Sequence, residues 1–132
     1  MRLWHYDIIR FLPKGQLLAQ WRELNSIFKK QDKHILINYI YAYDKEYLRT
    51  YSWEVIDEMR RRGYNISSLQ NMHDYFGDKT FLECEDLHFA EHDNRYLLQC
   101  FYNLQEKYDR GQTDFSTAEY LELKNFVEGR RG

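Results

Sequence analysis

The sequence predicts an all-α fold, a compact bundle of about four helices with an N-terminal segment packed between them. Three observations predict it. Apolar residues recur at three- and four-residue spacing in several stretches. Gly 6 and Pro 1 are both low for 132 residues, so few positions break a helix. No strand-turn-strand spacing is present. At this length the chain fits one domain, 1–132, with room for a small core. No internal repeat or low-complexity linker marks a boundary.

Met1 to Phe11 is apolar with interspersed polar residues, and Pro13-Lys14-Gly15 marks a turn. The first helix is expected over about Gln16 to Lys29, with Leu17, Leu18, Trp21, Leu24 and Phe28 as one apolar stripe. Lys29, Lys30 and Lys33 load its C-terminal end, where the helix dipole favours cations. A second helix is expected over about Asp44 to Arg62. Tyr43, Tyr47, Tyr51 and Val55 repeat every fourth residue, which reads as a packed face before it reads as a base-stacking platform. Gly63 supplies the positive φ of a helix stop, beside Arg60, Arg61 and Arg62. Residues 65–90 lack periodicity, apart from one short helix near Leu69–Tyr75. A third long helix is expected over about Asp93 to Arg110, ended by Gly111. Ser116 with Glu119 fits a capping box that opens a last helix from Thr117 to about Val127.

Cys84 and Cys100 make no disulfide framework and read as core thiols. Arg2, His5 and Asp7 interrupt any apolar leader, and no apolar run approaches the ~18 residues of a membrane span. The expected location is cytoplasmic. The net charge of -2 hides an asymmetry. Residues 1–66 carry 12 Lys/Arg against 8 Asp/Glu, and residues 67–132 carry 7 against 13. A basic half suits a polyanion, and ordinary scatter of surface charge gives the same numbers.

Two constellations are candidates for chemistry. Arg22 and Glu23 adjoin on the first helix, after a turn that brings them toward the N-terminus. Taken alone they are a surface ion pair of little energetic weight. His88-Phe89-Ala90-Glu91-His92 matches the H-x-x-E-H pattern of a zinc peptidase class, with Glu106, Glu119 or Glu122 available as a third ligand. Three fixed positions in five recur by chance, so surface residues or a helix start are the preferred reading. No structural metal is expected. His5 and His73 have no partner at ligand spacing and read as structural or exposed.

The first half of the chain resembles the pyrimidine-dimer DNA glycosylase family. Leu17-Leu18-Ala19-Gln20-Trp21-Arg22-Glu23-Leu24 is similar to the segment around that family's catalytic Glu. His34 follows at the distance where the family also has a His after a Lys. Tyr43-Asp44-Lys45-Glu46-Tyr47-Leu48-Arg49 resembles its Tyr-Asp-Lys…Phe-Leu-Arg stretch, and Arg62-Gly63-Tyr64-Asn65-Ile66 its Arg-Gly-Phe-Asn-Ile. The resemblance covers roughly residues 1–66 and implies a helical glycosylase with lyase activity on damaged double-stranded DNA, without a cofactor. It implies that the first residue's α-amine attacks the sugar carbon bearing the damaged base, with Glu23 stabilising positive charge and moving protons. An α-amine ordinarily titrates near ~7.7–8.0, which leaves a neutral fraction at cellular pH that Lys lacks. Arg2, Arg22 and His34 are the implied DNA contacts, and Met1 and Glu23 the implied catalytic groups.

The chain departs from the family pattern in several places. The family's phage members begin, after Met removal, with a small residue and then Arg, whereas here Arg2 directly follows Met1 and blocks removal. Either Met1 supplies the amine, with an extra residue near Lys14-Gly15, or the amine is misplaced and the chemistry is lost; the first is adopted. Gln16 stands in place of a His and Ser26 in place of an Arg. The stretch from His34 to Tyr43 is shorter. The acidic second half and the tail Phe126–Gly132 lack an aromatic, basic ending. The alternative function is a non-catalytic nucleic-acid- or protein-binding module that keeps the family fold.

Overall fold

The computed structural model describes residues 1–131, and Gly132, the end of the expected domain and of the tail, lies outside them. Five α-helices follow in order: α1 Lys14–Lys29, α2 Lys45–Arg61, α3 Gln70–Phe76, α4 Asn94–Asp109 and α5 Thr117–Arg131. Three 3-10 segments, Tyr6–Phe11, Asn38–Ala42 and Gly77–Lys79, complete the regular structure. Among the described residues there is no strand. The all-α expectation holds, with the short α3 added to the four longer helices.

Each boundary has a local cause. Pro13 occupies the N-cap of α1, where its missing N–H is no loss. The helix therefore begins at Lys14, and the expected three-residue turn contracts to Pro13. Gly15 is then helical, and a Cβ there would lie 3.0 Å from Asp114 Oδ2. Its own N–H donates to that oxygen at 2.8 Å, so a side chain would wedge this contact apart. At the end of α2, Gly63 has φ +80°. Its N–H donates to the Arg60 carbonyl, and the Tyr64 N–H reaches back to the Met59 carbonyl at 2.9 Å. This closes the orphan carbonyls of the last turn. At α5 the capping box forms as expected: Ser116 N–H donates to Glu119 Oε1, and Glu119 N–H to Ser116 Oγ, both at 3.1 Å.

α1 packs on α2 and α3, and α4 on α5. Leu17, Leu24, Ile27 and Phe28 of α1 enter the core with Tyr51, Val55, Ile56 and Met59 of α2 and Leu97, Cys100, Phe101 and Leu104 of α4. Cys100 is a core thiol, while Cys84 is half-buried. The N-terminal segment runs through the interior. Leu3, Trp4 and His5 are buried, and the 3-10 helix Tyr6–Phe11 packs on α2 and α5. A buried irregular strand of chain must pair its backbone polar groups. Trp4 N–H donates to Gln20 Oε1 at 2.8 Å, Tyr51 Oη lies 2.7 Å from the Trp4 carbonyl, and Tyr96 donates to the Leu3 carbonyl at 2.5 Å. Side chains from α1, α2 and α4 thus hold the first residues in place.

Candidate active site

The tethered N-terminus opens onto a cleft of about 360 Å³. Met1, Arg2 and Trp4 form one side, and Gly15, Gln16, Ala19 and Glu23 of α1 form the floor. Leu36 comes from the turn after α1, and Asn103 and Lys107 come from α4. Met1 is exposed at the mouth. The Arg2 guanidinium lies 5.7 Å from the Trp4 ring centroid and 5.9 Å from that of Tyr96, which holds a cation over two aromatic faces.

Glu23 projects into this cleft one turn beyond Ala19. Burial pushes its carboxyl up from the ordinary carboxylate range, while the terminal ammonium and Arg22 pull it back down. Met1 and the Glu23 carboxylate line this same cleft. Beneath them sits Gln20, 0% exposed. Its Nε2 donates to the Arg2 carbonyl at 3.0 Å and to Glu23 Oε2 at 3.1 Å. Its Oε1 accepts the Trp4 N–H and lies 2.8 Å from Tyr51 Oη. One amide, with all its polar atoms engaged, binds the N-terminal backbone to the carboxylate.

Of the residues singled out by sequence, Met1, Arg2 and Glu23 line the cleft. Arg22 is exposed beside Glu23 on the solvent side of α1. His34 is exposed and does not line it. Its Nδ1 accepts the Leu36 N–H at 3.2 Å, so this imidazole shapes a turn whose Leu36 faces the cleft instead. Arg61 and Arg62 both pair with the buried Glu58, and Arg62 also donates to the Leu12 carbonyl at 2.8 Å. That part of the basic cluster locks α2 to the N-terminal segment.

The H-x-x-E-H pattern lies in irregular chain before α4, so its imidazoles do not share a helix face. His92 is buried, with Nδ1 accepting the Tyr6 N–H at 3.3 Å and Nε2 2.7 Å from Tyr39 Oη. Burial, with His5 and His88 beside it, pushes it down to about 3. Glu91 accepts from Tyr43 at 2.6 Å. His88 stacks on Tyr6 at 3.6 Å between centroids and lies 3.2 Å from Asp86. Among the described residues no three His, Cys, Asp or Glu side chains converge as metal ligands.

A larger cavity, about 820 Å³, shares no lining residue with the cleft. Asp7, Glu54, Asp57, Glu58 and Asp86 line it together with Tyr6, His88 and three arginines. Burial and the neighbouring Asp86, Asp7 and Asp57 push Glu54 up to about 8. Several acidic side chains, from both halves of the chain, therefore gather at a separate site.

Sequence reasoning missed Gln20, Leu36, Asn103 and Lys107. Gln20 left a signal: it sits between Leu17 and Leu24 on the apolar stripe of α1, where a polar residue needs a buried partner. The other three left none, because only the tertiary fold brings them to the cleft.

The described residues thus bring Met1, Arg2 and Glu23 to one cleft of an all-α fold. A family model described as pyrimidine dimer DNA glycosylase matches residues 1–72, more than half the chain, and the chain belongs to that family. No curated protein and no solved structure matches it. The matched span contains Met1, Arg2, Gln20, Arg22, Glu23, His34 and Leu36. Asn103 and Lys107 lie beyond it. Among the described residues no helix is long and apolar enough to cross a membrane.

Proposed function

We propose that this protein excises damaged bases from double-stranded DNA, ultraviolet pyrimidine dimers among them, and then cleaves the strand as an AP lyase. The observation that carries this reading is the shared cleft of Met1 and Glu23, beneath which the Gln20 amide bonds both the Arg2 carbonyl and the Glu23 carboxylate. The Met1 α-amine attacks C1′ of the damaged nucleotide. The C1′–N bond breaks, and its electron pair and a proton leave with the base. Ring opening gives an imine between Met1 and C1′. That imine accepts electrons when a proton is taken from C2′ and the C3′–O bond breaks by elimination.

Glu23 acts on the charged stages. The sugar is neutral in the bound substrate and gains positive charge as the base departs, so a fixed carboxylate lowers the barrier more than it aids binding. Its upward-shifted carboxyl also carries protons between the sugar and the base. Arg2 and Arg22 hold the flanking phosphates. Borohydride reduction of the protein on a duplex with one abasic site tests the reading. A covalent protein–DNA adduct is expected. Its absence, with binding intact, identifies a non-catalytic module that keeps the family fold.

A further inference from the structure

We propose that Ile35 and Leu36 form an apolar wedge that enters the DNA base stack beside the cleft and holds the gap left by the extruded nucleotide. This rests on the glycosylase reading of the cleft. Single exposed apolar residues are ordinary on a protein surface. Here two stand side by side, Ile35 79% and Leu36 45% exposed, and Leu36 also lines the cleft with Met1 and Glu23.

The turn that carries them is held on both sides. Asp32 Oδ1 accepts the His34 N–H at 2.9 Å, and the Asp32 carbonyl accepts the Tyr41 hydroxyl at 2.5 Å. His34 Nδ1 accepts the Leu36 N–H, and the His34 carbonyl accepts the N–H groups of Ile37 and Asn38, both at 2.9 Å. Ile37 is fully buried and anchors the far end. The two side chains are thus presented on a fixed backbone.

Their surroundings select the partner. Lys29, Lys30 and Lys33 are exposed just before the turn, and Arg22 is exposed on α1. Exposed cations in the chain leading to an apolar tip match a partner that is anionic outside and apolar within, which describes stacked bases between phosphate strands. Extruding a nucleotide exposes the faces of its neighbours, and an aliphatic side chain in the gap covers them. A protein partner would fit the apolar pair without needing the lysines or the adjoining cleft.

The test compares the parent with Ile35→Ser and Ile35→Met, the wedge position that does not line the cleft, on one abasic-site strand presented as duplex and as single strand. Ile35 is exposed, and thermal melts check that the variants fold. Ile35→Ser is expected to lose at least tenfold in single-turnover borohydride trapping on duplex and to stay within about twofold of the parent on single strand, and Ile35→Met to retain the duplex rate. Equal losses on both strands, or no loss on duplex, overturn the wedge. A parent that traps on neither strand overturns the glycosylase reading. The wedge is then decided on a duplex carrying a tetrahydrofuran abasic analogue with 2-aminopurine as its 3′ neighbour. A fluorescence change with the parent that Ile35→Ser lacks supports insertion; identical responses, or none from the parent, overturn it.

Discussion

Gln20 Nε2 donates to Glu23 Oε2 at 3.1 Å while it donates to the Arg2 carbonyl at 3.0 Å. The position of the carboxylate is thereby coupled to that of the chain's first residues. Gln20→Met keeps the volume but strands the Trp4 N–H and frees Glu23. A buried donor without a partner costs about 1–3 kcal/mol, so a fall in stability of that size is expected in urea unfolding. Removing a donor to the charged carboxylate also raises its pKa further. The acid limb of the trapping rate against pH should move to higher pH in Gln20→Met. An unchanged limb would leave Gln20 with a purely structural role.

Glu23→Gln keeps shape and some hydrogen bonding but removes the negative charge. In a partly desolvated site that charge is worth several kcal/mol, on the order of a thousandfold in rate. Base release and strand cleavage are expected to fall by about that factor. Binding to damaged duplex at matched salt should hold or tighten, since Glu23 repels phosphates. Single-turnover cleavage and equilibrium titration at one salt concentration read both quantities.

Glu54 carries a pH signature of its own. Its carboxyl is pushed up to about 8 in the folded chain, against about 4.5 as its ordinary value. Between those values the folded state holds a proton that the unfolded state has lost, so stability falls as pH rises through this window. Glu54→Gln should leave stability near pH 4.5 almost unchanged and raise it at pH 9. A gain of about 1–2 kcal/mol is expected after allowance for solvent screening. Denaturation midpoints at the two pH values check the difference.

His92 acts with the opposite sign. Its imidazole is pushed down to about 3 from an ordinary 6.5. Below 6.5 the unfolded chain takes up a proton that the folded chain refuses, so stability falls on acidification from 6.5 toward 3. His92→Gln is expected to be less stable near neutrality, having lost two good contacts, but to show a shallower decline between pH 6.5 and 4. Urea midpoints across that range give the two slopes.

Much of the scaffold was legible because its determinants are local. The four-residue repeat through Tyr47, Tyr51 and Val55, the positive φ of Gly63 and the Ser116–Glu119 box each act within a turn or two of chain. The stretch ending in His92, read as surface residues or a helix start, is instead irregular chain whose His92 is buried against the Tyr6 N–H and the Tyr39 hydroxyl, partners that no local pattern supplies. The candidate site was legible where the family resemblance reached, at Met1, Arg2 and Glu23. Gln20 was legible only as a polar residue on an apolar stripe, because its partners lie 16 and 31 positions away in sequence. Asn103 and Lys107 reach the cleft through the packing of α4 against the N-terminal segment, a contact fixed by Tyr96 and the Leu3 carbonyl across 93 positions. No short-range pattern encodes that meeting.

In the proposed reaction the nucleophile is the α-amine of Met1. Borohydride trapping on abasic DNA, followed by nuclease and protease digestion and mass spectrometry of the adduct, locates the bonded nitrogen. One adduct is expected, on the N-terminal peptide, with the sugar remnant on the Met1 α-nitrogen, and its loss when that amine is acetylated beforehand. An adduct on a lysine side chain, or undiminished trapping by the acetylated protein, would contradict it.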